Sequence, residues 1–132
     1  AEIESLWQAV RTARHYPDAE ISLRCVDEVE SRRLNKQYHH RDQPTNVLTF
    51  SYPPSPETPV PTHDVAVCLP LVTTEAQARR VPLRDYMAYI LTHAFLHAAD
   101  MDHEPSAAAA SAMAEAERQI LSQCGFAASI VV

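Results

Sequence analysis

A chain of 132 residues, 46% hydrophobic and 21% charged, suits one compact domain over residues 1–132 with a real core. Its formal charge of −6 argues against a protein that coats itself with nucleic acid and leaves room only for a local basic groove. No apolar run approaches the roughly 20 residues of a membrane span, and the N-terminus lacks a basic stretch followed by an apolar one, so the expectation is a soluble cytoplasmic protein with no membrane association.

Ile3, Leu6, Val10 and Ala13 recur at helical spacing beside Trp7, which predicts an amphipathic helix ending near Tyr16-Pro17. In EISLRCV, Ile21, Leu23 and Cys25 alternate with polar residues, the pattern of a half-buried strand. Asp27 is a good N-cap for a short helix through Leu34 and Tyr38. HHRDQPT is a polar loop, and NVLTFSY after it is rich in β-formers. PPSPETPVPTH carries five prolines and is a loop too short to separate domains. DVAVCL is nearly all apolar and predicts a central strand. Thr73 or Thr74 opens a short helix through Arg80. Pro82 leads into a long helix, LRDYMAYILTHAFLHAA, apolar enough to be the buried, central one. Pro105 and Ser106 open a last helix with Met113, Ile120 and Leu121 on its core side, stopping at Cys124-Gly125.

That order predicts an α+β fold, a small mixed sheet covered by helices. Cys25, Cys68 and Cys124 are odd in number and widely spaced, with no CxxC pair, so no disulfide framework is expected; Cys25 and Cys68 read as small core residues. Gly125 is the single glycine, so tight turns fall to Pro, Asn, Asp and His.

The chemistry gathers in THAFLHAADMDHEP. His93 and His97, four apart on a helix, project from one face about one turn apart, close enough for two nitrogens to share an ion at roughly 2.0–2.1 Å. Asp100, Asp102 and Pro105 end the helix soon after Ala99, and the turn lets His103 return to the same point. Three imidazoles with an open fourth position describe a catalytic zinc site better than a structural one. Asp100 and Asp102 serve either as acceptors that orient the ligand imidazoles or as plain turn and cap residues. The metzincin peptidases, HExxHxxGxxH, share the histidine spacing, but their general base is a Glu where this chain has Ala94, so a peptidase is not expected.

HAFLHAADMDH resembles the signature HGxLHLxGxDH of the YbeY family at His93, Leu96, His97, Asp102 and His103. LNKQYHHRDQPTNVLTFSYP is similar to that family's LNxxYRxxDxPTDVLSFP at Leu34, Asn35, Tyr38, Asp42, Pro44, Thr45, Val47, Leu48 and Phe50, and DVAVCLP to its GDIxIxxP strand. The resemblance implies an α+β fold whose central helix carries the histidines, one Zn2+ per chain on His93, His97 and His103, and metal-assisted phosphodiester hydrolysis. It implies a single-strand-specific endoribonuclease in ribosomal RNA maturation and ribosome quality control. The expected partners are single-stranded or ribosomal RNA and the small ribosomal subunit or its assembly factors, with no DNA. The departures are Ala94 and Asp100 in place of motif glycines, His63 for the glycine before the third strand, and His39 where the family has a functionally important Arg. Phosphate stabilisation then falls to Arg41 or to protonated His39. Arg32, Arg33, Lys36 and Arg41 form one basic cluster, and Arg79, Arg80 and Arg84 another; either is a candidate flank for an RNA groove. The competing reading is a metal-stabilised ribosome-assembly factor without nuclease activity, which the change at His39 favours.

Overall fold

The computed structural model describes residues 2–99 and 106–131. Their contacts gather into two units, one of Asp18–Leu83 and one of Ala1–Pro17 with Arg84–Val132.

The first unit holds the three strands found among the described residues. Strand β1 (Glu20–Val26) leads into helix α2 (Glu28–His39), then come β2 (Val47–Tyr52), β3 (Thr62–Cys68) and helix α3 (Leu69–Arg79); the preceding helix α1 (Glu2–Arg14) belongs to the other unit. The sheet order is β1-β3-β2, with β3 parallel to β1 and antiparallel to β2. The mixed sheet expected from the chain order is present, and the apolar DVAVCL stretch does supply the central strand. Val65, Ala66, Val67 and Cys68 are buried there because a middle strand has neighbours on both edges.

Register settles which side chains share a face. Leu48 pairs with Ala66, and Phe50 with Asp64. Leu34 of α2 closes over this face, burying itself with Leu48 and Ala66 against Val26 and Phe50. Full burial of a Leu contributes about 2 kcal/mol, so this contact anchors α2. Asp27 caps the helix as expected, its Oδ1 accepting from Glu30 N at 2.8 Å.

Two readings are corrected. The apolar alternation of Ile21, Leu23 and Cys25 does not translate into a buried face, because β1 is an edge strand: Ile21 is half-buried, Leu23 keeps 38% of its exposure and Cys25 is exposed rather than a core residue, whereas Cys68 is fully buried. Helix α3 starts at Leu69, ahead of Thr73, because Pro70 falls in the first turn, where its missing N–H costs nothing.

The second unit packs α1 against helix α5 (Ala107–Gln123), with helix α4 (Leu83–Ala98) and a short 3-10 turn (Ala128–Ile130). Leu6, Trp7 and Val10 are buried on α1, while Ile3 remains 43% exposed. Trp7 meets Phe95 of α4 edge-on at 5.5 Å between ring centroids. Met113, Ile120 and Leu121 form the buried stripe of α5 as expected; Ser106 caps it, its Oγ accepting from Ala109 N at 3.0 Å. No helix among the described residues is long and apolar enough to cross a membrane.

Candidate metal centre

Over residues 90–99 every position is buried except His93 and His97, which are half-buried. The same-face spacing therefore leaves the two imidazoles together at the accessible side of an otherwise enclosed helix end. Their Nε2 atoms are 3.1 Å apart, with rings 4.6 Å apart between centroids and 74° between planes. Nδ1 of His93 meets Oε2 of Glu117 on α5 at 2.7 Å. An ionised carboxylate only accepts, so the network assigns the proton to His93 Nδ1. His93 Nε2 then carries the lone pair that accepts from His97 Nε2–H.

Two converging imidazole nitrogens are a donor set that suits zinc, and also nickel, copper or iron. Among the described residues no group of three or more His, Cys, Asp or Glu is placed to hold a metal. His103, the expected third ligand, lies outside the described residues, as do Asp100 and Asp102. Ala94 is 1% exposed, so this alanine in place of a motif glycine is accommodated inside the helix.

Glu117 is the site residue that sequence reading missed, although a signal was present. It lies four residues after Met113 and three before Ile120, on the apolar stripe of α5, and is 3% exposed. A carboxylate in the middle of a core stripe calls for a partner.

The other two candidates lie in the sheet unit. The segment after α2 is fastened back onto that helix. Ser31 Oγ donates to Thr45 O at 2.7 Å and accepts from Thr45 N at 2.9 Å, and Asn35 Nδ2 donates to Gln43 O at 2.8 Å. Ser31 and Asn35 are both buried. With Asn35, Gln43, Pro44, Thr45 and Leu48, His39 and Arg41 line one open cleft of about 320 Å³. The rest of that basic cluster is engaged. Arg32 Nε donates to Asp42 at 2.7 Å, Arg33 donates to Glu30 at 2.6 Å, and Lys36 lies 4.0 Å from Asp42. Hydrogen bonding from Arg32 holds the Asp42 carboxyl below the usual carboxylate range, and Arg33 does the same for Glu30. The second cluster is also partly engaged: Arg84 pairs with Glu2 and stacks over Phe126 at 4.3 Å. The guanidinium of Arg41 has no partner among the described residues.

A small α+β protein with paired imidazoles on one helix is the class these observations define. A profile of the family described as Endoribonuclease YbeY matches residues 1–125. The chain belongs to the YbeY family. The endoribonuclease YbeY of Cupriavidus pinatubonensis is 43% identical over 115 residues, covering 87% of this chain and 56% of that protein. That of Paracidovorax citrulli is 42% identical over 120 residues, covering 89% and 77%. The chain thus spans little more than half of the first relative's length. The solution structure of TM1509 from Thermotoga maritima shares the fold, with a TM-score of 0.62 and 23% identity over 93% of this chain and 81% of that one.

Proposed function

We propose that this chain is the catalytic core of a metal-dependent endoribonuclease that cuts single-stranded RNA, acting in ribosomal RNA maturation and ribosome quality control in the cytoplasm. The observation that carries the reading is the 3.1 Å approach of His93 and His97 Nε2 at the one accessible face of a buried helix end. Membership in a family described as an endoribonuclease supports the substrate class. His93, His97 and His103 would hold one zinc-type ion, with Asp100 and Asp102 as candidate acceptors for ligand imidazoles. When bound, such an ion supplies Lewis acidity to a phosphate oxygen and lowers the pKa of a bound water.

The chain's own residues have three tasks. To hold the ion both histidines would present Nε2 lone pairs, so His93 keeps its proton on Nδ1 and His97 gives up the Nε2–H that it donates to His93 in the metal-free arrangement. Arg41, whose guanidinium has no partner among the described residues, would bind a phosphate of the RNA through its forked donors. His39, on the same cleft, adds a second donor when protonated.

Elemental analysis and a nuclease assay test the reading together. The parent should carry about one equivalent of zinc and cleave single-stranded RNA until chelator is added, and His97→Ala should lose both properties. Equal metal content in parent and variant would remove the site. Metal binding without cleavage would instead support the assembly-factor reading, which the replacement of the family Arg by His39 favours.

A further inference from the structure

We propose that Glu117 is the positioning residue of this centre: its carboxylate keeps the proton of His93 on Nδ1 and so turns the Nε2 lone pair toward the point that His97 also faces. The proposal rests on the reading of His93 and His97 as metal ligands and adds a residue from α5 that does not itself touch the ion.

Three observations carry it. First, Glu117 stands on the stripe formed by Met113, Ile120 and Leu121, and its side chain keeps only 4% of its exposure. A carboxylate taken out of water at such a position destabilises the fold unless its partner compensates, and an apolar side chain of similar volume is often the more stable choice there. Packing alone gives no reason for a glutamate. Second, its hydrogen-bond partner among the described residues is His93 Nδ1, at 2.7 Å, the short distance of a charge-assisted bond. Third, the other nitrogen of the same ring is the one that lies 3.1 Å from His97 Nε2. A neutral imidazole has one N–H and one lone pair, so a group that only accepts at Nδ1 decides what Nε2 offers. The carboxylate also restrains ring rotation, because turning His93 away from His97 breaks the bond to Glu117. Carboxylate partners of ligand histidines act in this way in metal sites generally, and their loss weakens metal binding about 10–100-fold.

A purely structural role makes a different forecast. If Glu117 merely clamps α5 to α4, replacing it weakens the fold and metal binding together. If it positions His93, the two effects separate. Glu117→Gln keeps the shape but offers an amide that can either accept from or donate to Nδ1, so the tautomer is no longer fixed. Glu117→Leu removes the polar partner and suits the apolar stripe.

The experiment has two parts. Ring-nitrogen NMR on metal-free parent and Glu117→Gln, at a pH where the imidazoles are neutral, reads the His93 tautomer. Zinc titration and thermal melting on the parent and both variants read affinity and stability. The parent should show Nδ1–H on His93. The Gln variant should populate the Nε2–H form, and both variants should bind zinc about 10–100-fold more weakly with no fall in the metal-free melting temperature. An Nε2–H tautomer in the parent, or zinc affinity unchanged in the variants, overturns the proposal. So does an affinity loss that only accompanies a lowered melting temperature. If Glu117→Leu fails to fold, the isosteric Gln variant decides alone. Failure of the parent to bind zinc overturns the metal reading itself, and the positioning role with it, whatever the tautomer.

Discussion

Arg41 and His39 line the same cleft, yet they differ in what each can do for a phosphate. A guanidinium is charged at every working pH and forks onto two oxygens, whereas an imidazole carries charge only when protonated. Arg32, about two turns before the end of α2, is closed off by Asp42 and serves as an internal control. Arg41→Ala should therefore lower kcat/KM on single-stranded RNA by at least tenfold, while Arg32→Ala changes it by less than twofold. His39→Arg should restore the cation of the family motif and extend activity to higher pH than the parent sustains. A pH–rate profile on one RNA, at fixed zinc and salt, reads both. Profiles of identical shape for parent and His39→Arg would remove His39 from phosphate stabilisation, and an unaffected Arg41→Ala would remove Arg41.

At the scale of elements, a chain with one glycine has to end its helices with other residues. Among the described residues three non-glycine positions adopt positive φ, and each follows a helix: His15 after α1, His40 after α2 and Arg80 after α3. The left-handed conformation costs an ordinary residue roughly 1–2 kcal/mol, part of which glycine would give back through a more flexible unfolded chain. Arg80→Gly, at an exposed site, should thus raise stability by about 0.5–1 kcal/mol in urea denaturation; a loss would show that the cap is not strained. Much of this architecture was legible beforehand, because its causes are local: Asp27 announces α2, the apolar DVAVC run announces a central strand, and Ser106 announces α5. Histidine was among the residues expected in the turns, whereas Arg80 was not. What escaped depended on neighbours far along the chain. Cys25 alternates like a core residue, but nothing in its own segment says that β1 is an edge. Leu69-Pro70 continues an apolar strand by composition, while the backbone has already turned into α3. At the site, the same-face spacing of His93 and His97 foretold their convergence, since i and i+4 is a property of one helix. The Glu117 contact spans 24 residues and two helices, so only the oddity of a carboxylate on an apolar stripe pointed to it.

Across the whole molecule the charge balance sets how RNA would be held on the endoribonuclease reading proposed above. The 17 acidic residues exceed the 11 Lys and Arg. Arg24, Arg32, Arg33, Lys36, Arg84 and Arg118 all lie within 4.0 Å of a carboxylate. Breaking such pairs to reach phosphates would forfeit one contact for each one gained and leave a carboxylate facing the strand. The expected mode is therefore few phosphate contacts, centred on Arg41, with binding concentrated at the site rather than spread over a basic face. Counterion release turns this into a number, because log affinity for a single strand falls with log salt by about 0.7 per neutralised phosphate. One or two contacts predict a slope of roughly −0.7 to −1.4, so affinity should fall only about three- to sevenfold between about 50 and 200 mM salt. A non-cleavable single-stranded RNA, titrated at several salt concentrations, gives the slope. A value steeper than about −4 would mean that the paired arginines open to form an extended groove, and Arg32→Ala and Arg33→Ala should then each flatten it by about 0.7.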